Sequence, residues 1–260
     1  LHPASCTWVG GWPCILHLGS CIPTWPVSPL PFGYYERVPT IEDEALVLDH
    51  HPFGDRHLVL TVLTRRQGVQ RGVLRRARGG KAPAAAAAQI MSLVHVDLFQ
   101  RPEAELATYR HLDLVTSSFP LTRELGRSAA AAVVAELLLT FNPPAEPSER
   151  AFRLGVSCLE ALLAEIPADT VVAYAEFWAL ALGGVLPPGP EISEALGEKG
   201  SEQLAGYRRN KLTEVSGNAL PSTSRWLDRV VRDEAERPLR ALSFYRQTAV
   251  DSGEGSGSDR

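Results

Sequence analysis

The spacing of apolar residues changes character twice along the chain. In "EALVLDH" and "HLVLTVLT", starting at Glu44 and His57, the density of Val, Leu and Thr predicts two β-strands joined by a turn in "HPFGD". Gly68 opens a third strand, "GVQRGVLRRA", and "RGGKAP" reads as the loop that ends it. "SLVHVDLFQ" alternates, with Leu93 and Val94 starting opposite faces, and "ELATYRHLDLV" makes a fifth strand. Five short strands in about 75 residues predict a small closed barrel, not a parallel sheet with helices between its strands.

After Pro120 the period becomes helical. "LTRELGRSAAAAVVAELLLTF" is spaced as a buried helix ended by "NPPAEP", with Thr122 as its expected cap. "SERAFRLGVSCLEALLAEI" is a second helix with Ser148 at its N-cap, and "VVAYAEFWALALGG" a third, stopped at Gly183-Gly184. Residues 187–220 are polar and weakly patterned, and a loosely ordered insertion is expected there. "STSRWLDRVVRDEAERPLRALSFYRQ" returns to helix with a kink or break at Pro238, and residues 248–260 read as a disordered tail. The fold class is α+β, a β-barrel over residues 38–118 followed by a helical domain over 119–247.

Composition bears on the ends and the compartment. The chain has 260 residues, 45% apolar and 22% charged, as globular proteins do, and no apolar run long enough to predict a membrane-spanning helix. Of its four cysteines, Cys6, Cys14 and Cys21 crowd the start and Cys158 sits alone in a helical pattern. That is neither a disulfide framework nor a zinc ribbon, and it predicts a reducing compartment with Cys158 in the core. Residues 1–35 hold no Lys, Arg, Asp or Glu but six prolines and three of the five tryptophans. Residues 1–37 are expected not to fold alone, and to be upstream sequence read through ahead of a start at Val38. A genuine Pro-rich arm is the alternative.

Charge adds the first hint of function. The net charge is −4, yet the segment from Arg56 to Val96 holds eight of the 26 Lys and Arg and none of the 30 Asp and Glu. Arg65, Arg66, Arg71, Arg75, Arg76, Arg78 and Lys81 cannot all be buried, because the segment supplies no acids to pair with them. They are the candidate contacts to a phosphate backbone. Arg71 and Arg75 share one strand face and Arg76 and Arg78 the other if alternation holds, but Gly72 invites a bulge that leaves their convergence open. A solvated face paired with acids of the helical domain is the structural alternative. Aromatic residues in the barrel are few (Phe53, Phe99 and Tyr109), so binding should be mainly electrostatic, tolerant of sequence and weakened by salt. Asp49, His50, His51, Asp55 and His57 cluster in a turn, but Arg56 among them disfavours a cation, and a solvated hairpin is expected. No nucleophile–base arrangement, phosphate-cradling loop or carboxylate pair is discernible, so an enzyme is not expected.

"EALVLDHHPFGDRHLVLTVLTRRQGVQRGVLRRAR", Glu44 to Arg78, resembles the opening of the bacterial DNA repair protein RecO family. The matching pieces are Ala45-Leu46-Val47-Leu48, Gly54-Asp55, Leu63-Thr64-Arg65, Gly68 and Ala77-Arg78. "ELATYRHLDLVTSSFP", "FWALALGGVLP" and "RPLRALSFYRQ" are similar to later blocks of the family in the same order, so the likeness spans about residues 39–247. It implies an N-terminal OB-fold and a helical domain. It also implies a non-enzymatic recombination mediator in the bacterial cytoplasm that binds single- and double-stranded DNA and anneals complementary strands. The implied partners are RecR and the acidic, apolar C-terminal tail of SSB, with RecA loaded as the outcome.

The chain departs from the family at several points. Many members carry a four-cysteine zinc module after the third helix; here no cysteine follows Cys158, so neither zinc nor any other cofactor is expected. Lys81-Ala82 stands for the family's Lys-Ser, Ile90-Met91 replaces Pro-Phe after Gln89, and Ala84 to Ala88 make the loop less polar. Two other classes compete with the mediator: a protein-interaction module docking an acidic partner, and a non-specific RNA-binding OB protein.

Overall fold

The computed structural model describes residues 40–75, 86–99, 104, 106–144, 146–215 and 217–254. Its strands are β1 (Thr40–Phe53), β2 (His57–Thr64), β3 (Gly68–Leu74), β4 (Leu93–Phe99) and β5 (Ala107–Thr116). They close a barrel in the order β1-β2-β3-β5-β4, antiparallel except where β3 and β5 run parallel. Short turns join β1 to β2 and β2 to β3, whereas the parallel pair is joined by the long excursion through β4. This is an OB-like barrel.

The first strand is longer than its apolar run, because both of its faces are used. Ala45 and Val47 point into the barrel with Leu60, Val62, Val96 and Leu98. Leu46 and Leu48 point outward into a second, larger core, joined there by Leu63 and Val69. A strand buried on both sides reads as continuous hydrophobicity, which is what "ALVL" shows. A bulge between Val47 and Asp49 lets the strand curve around the barrel.

The larger core is helical. A 3-10 turn (Phe119–Arg123) leads into α1 (Leu125–Phe141), followed by α2 (Glu149–Leu163) and α3 (Ala168–Leu182). Helix α1 is apolar on nearly every side because it lies between β1, α3 and the C-terminal helix, Arg240–Glu254. Ser148 caps α2 as expected, its Oγ accepting the Ala151 N–H at 3.3 Å. Thr122 does not cap α1: the 3-10 turn comes first, and the hydroxyl donates to the Phe119 carbonyl at 2.7 Å. Cys158 is fully buried, and desolvation pushes its thiol up to about 12.

The loose insertion expected over 187–220 is instead largely α4 (Gly189–Arg209), kinked at Gly197. Its stripe of Ile192, Gly200, Leu204 and Tyr207 is too narrow to dominate a polar sequence. Tyr207 nevertheless anchors it, edge-on to Tyr174 and Phe177 of α3, while Trp178 Nε1 donates to its carbonyl at 3.2 Å.

The C-terminal pattern breaks around Pro238 into α5 (Pro221–Glu234) and α6 (Arg240–Glu254). Helix α6 continues past residue 248, where a tail was expected, while 255–260 lie outside the described residues, as do 1–37. Glu136 of α1 caps α6 from outside, accepting the Arg240 and Leu242 N–H groups at 2.7 and 3.2 Å. Further along, Arg246 grips Asp228 of α5 at 2.8 and 2.9 Å, and the Tyr245 hydroxyl donates to Asp169 at 2.7 Å. Beneath them Glu176 is completely buried, with neither carboxyl oxygen hydrogen-bonded among the described residues. Arg246 stands 3.8 Å away, too far to compensate and already engaged by Asp228. Burial first, and then the neighbouring Asp228 carboxylate, raise the Glu176 pKa well above the glutamate range, so its neutral form is favoured.

Candidate nucleic-acid interface

The basic segment divides into three parts. Arg65 and Arg66, in the β2–β3 turn, are held by acids. Arg65 bridges Glu44 of β1 at 3.4 Å and Glu149 of α2 at 3.1 Å, tying the barrel to the helices. Arg66 donates through its main-chain N–H and Nε to Asp43 at 2.8 and 3.2 Å, and through Nη2 to the Glu42 carbonyl at 2.7 Å. Asp43 is only 3% exposed, so Arg66 supplies the partner that a buried carboxylate requires. The alternative of arginines paired with acids of the helical domain thus describes Arg65.

Arg71 and Arg75 are different. The β2–β3 ladder runs without a break from Thr64↔Gly68 to Leu58↔Leu74, so the bulge expected at Gly72 is absent. With alternation intact, Gly72 and Leu74 face the interior, and Arg71, Val73 and Arg75 face outward. Both arginines are exposed, and neither has an ion pair with another described residue. Arg76, Arg78 and Lys81 lie outside the described residues.

The parallel closure adds a cation that the basic segment does not contain. Leu74 pairs with Tyr109, the last rung of the parallel ladder, and Arg75 and Arg110 are the next residues of the two segments. On its other side β5 has a register shift against β4, Tyr109 opposing Leu98 and His111 opposing Asp97. Arg110 is the extra residue of that bulge, and both it and His111 are exposed. The Arg110 guanidinium lies 4.6 Å from the Phe99 ring centroid, and its Nη1 donates to Thr40 Oγ1 at 3.4 Å. Sequence reading missed Arg110 because it stands far along the chain from the cluster. Its place after the inward-facing Tyr109 was the available signal.

β1 extends through Phe53, placing His50 and His51 on a strand instead of in the turn. His51 Nε2 lies 2.9 Å from Asp49 Oδ2 in the open. Among the described residues no group of three or more His, Cys, Asp or Glu is arranged to hold a metal, and no helix is long and apolar enough to cross a membrane. A cavity of about 430 Å³ opens between β1, α1 and the α5–α6 connection. Leu48, Ile90 and Leu139 line it with Glu136, Arg237 and Arg240.

Residues 38–118 match the family described as Recombination protein O N terminal. The resemblance to RecO is thereby shown. The matched region ends just after β5, so it is the barrel with all of its candidate arginines. The chain is also similar to the DNA repair protein RecO of Koribacter versatilis (strain Ellin345). The two are 28% identical over 148 residues, 56% of this chain and 59% of that relative. RecO of Anaeromyxobacter sp. (strain K) is 28% identical over 142 residues, 55% of this chain and 56% of its own length. The chain thus spans less than two thirds of these RecO relatives.

Proposed function

We propose that this chain is a DNA-binding recombination mediator in DNA repair, acting as a scaffold instead of an enzyme. The observation that carries the reading is the exposure of Arg71 and Arg75 on the outer face of a RecO-like barrel, without acid partners among the described residues. Cations left unpaired by the protein are free to take phosphates, and the counterions released on contact drive binding. Arg65 and Arg66 border this surface, and Arg76, Arg78 and Lys81 follow it in the sequence. The barrel at 38–118 is the DNA-binding unit and the helices at 119–247 its support and partner surface. Binding is to single- and double-stranded DNA, and neutralising two strands at once lowers the repulsion that opposes annealing. With RecR, the complex prepares SSB-coated single strands for RecA in the bacterial cytoplasm, at the nucleoid.

A second reading, an interaction module docking an acidic partner, is favoured by the cavity beside Arg237 and Arg240. Its lining mixes Leu48, Ile90 and Leu139 with Arg237 and Arg240, which suit an acidic, apolar peptide such as the SSB tail, and with Asp49 and Glu136, which do not. The two readings combine if the barrel takes DNA and the helices take SSB. Annealing of complementary oligonucleotides separates them. The folded double variant Arg71→Glu, Arg75→Glu should anneal at least about tenfold more slowly, since several phosphate contacts are reversed. Unchanged annealing by that variant would leave the interaction module as the function.

A further inference from the structure

The Phe99–Arg110 pair sits where the cationic face meets an acidic one. In register, Phe99 pairs with Thr40 of β1 on one side and Thr108 of β5 on the other. One row away from Arg110 the pairing is Glu42 with Asp97, and beyond that Glu44 with His95. The outer face of the barrel is therefore basic at Arg71 and Arg110 and acidic at Glu42 and Asp97. A strand that follows Arg71 and Arg75 reaches this border at Arg110.

Arg110 is unsuited to act as one more phosphate contact. Its guanidinium is drawn over the Phe99 ring at 4.6 Å and tethered to Thr40, so that an exposed side chain is kept in one place. Phe99 is half-buried against the barrel and so provides a fixed base for it. Where such a guanidinium lies flat on the ring its other face is left open, and flat cations of this kind stack on nucleobases. In a duplex the bases are stacked on one another and out of reach; in a single strand they are free to turn inward.

We infer that Arg110, supported by Phe99, is a stacking platform for an unpaired nucleobase of a single strand whose phosphates run along Arg71 and Arg75. The inference rests on the DNA-binding reading above and gives it a specificity: bases, and not phosphates alone, distinguish single strands from duplex at this border.

The test uses the full chain and three probes: a thymidine oligonucleotide, an abasic oligonucleotide of equal length, and a duplex. The wild-type chain should bind the thymidine strand about tenfold more tightly than the abasic strand, the scale of one base stacked on a side chain. Arg110→Lys keeps the charge and loses the plane, and Phe99→Leu keeps the apolar support and loses the ring. Each should remove that preference while leaving abasic and duplex binding within about twofold. Melting curves verify that both variants are folded. Equal affinity of the wild-type chain for thymidine and abasic strands would overturn the platform and leave the phosphate reading intact, as would a preference that survives in both variants. Failure to bind any of the three probes would overturn the DNA-binding reading as well.

Discussion

A β-carbon at Gly72 would lie 2.8 Å from the Ala107 carbonyl oxygen and 2.9 Å from the Tyr109 ring. The glycine is there because β5 closes against β3 at this point, and not to bend the strand. Gly72→Val should destabilise by about 1–3 kcal/mol, as overpacking does, measured by denaturant unfolding. Sequence alone assigns such a glycine to a bulge because the strand that approaches it is distant in the chain. The same limit governs the arginines. Their number and location were legible, but Arg65 and Arg66 are anchored by acids that come from β1 and α2. Arg66→Ala should therefore lower stability by about 1 kcal/mol, the upper scale of an ion pair whose arginine is solvent-exposed, while leaving the salt dependence of DNA binding nearly unchanged. Arg71→Gln or Arg75→Gln should do the reverse, each reducing the log–log salt slope for single strands by about 0.7 with an unchanged melting temperature.

Among the elements, strongly patterned segments were legible and α4 was not. The strands, α1 and α3 carry enough apolar residues to declare their period, whereas α4 buries a thin stripe and contains four glycines. What fixes its end is Tyr207, whose ring is held by α3. Helix α6 depends likewise on a group outside itself. Glu136→Ala leaves its first N–H groups without their acceptor, and should cost about 1 kcal/mol and speed amide exchange at the start of α6. Glu176, buried on α3 beside Asp228 and Arg246, gives the fold a definite pH signature. Its folded pKa is raised, so the fold holds a proton that the unfolded chain releases above about 4.5, the ordinary value. The stability this contributes is complete below that pH and is lost as pH rises through the raised folded value, with a slope of at most about 1.4 kcal/mol per pH unit. Glu176→Gln mimics the neutral form. It should flatten that decline in denaturation experiments between pH 5 and 8; an unaltered pH profile would show that the carboxyl is ionised in the fold.

Across the whole molecule, barrel and helices share material. Leu46, Leu48, Leu63 and Val69 belong to the outside of the barrel and to the helical core at once. Leu46→Ala should cost about 2–5 kcal/mol and shift barrel and helix signals together, since its cavity opens in the core that joins them. The order of barrel then helices was readable from the change of period at Pro120. The shared core was not, because the outward leucines of β1 look the same whether solvent or a helix covers them.

The closing pair, β3 with β5, has a consequence for birth on the ribosome. The barrel cannot shut until β5 has emerged, and its outward leucines stay bare until α1 and α2 follow, at Leu163. At about 5–20 residues per second, the first strands wait several seconds with β3 carrying an unpaired edge. Like charges in the β2–β3 turn and along β3 keep such edges from finding one another on neighbouring nascent chains. The arginines proposed to meet DNA in the finished protein would then first serve as guards against aggregation.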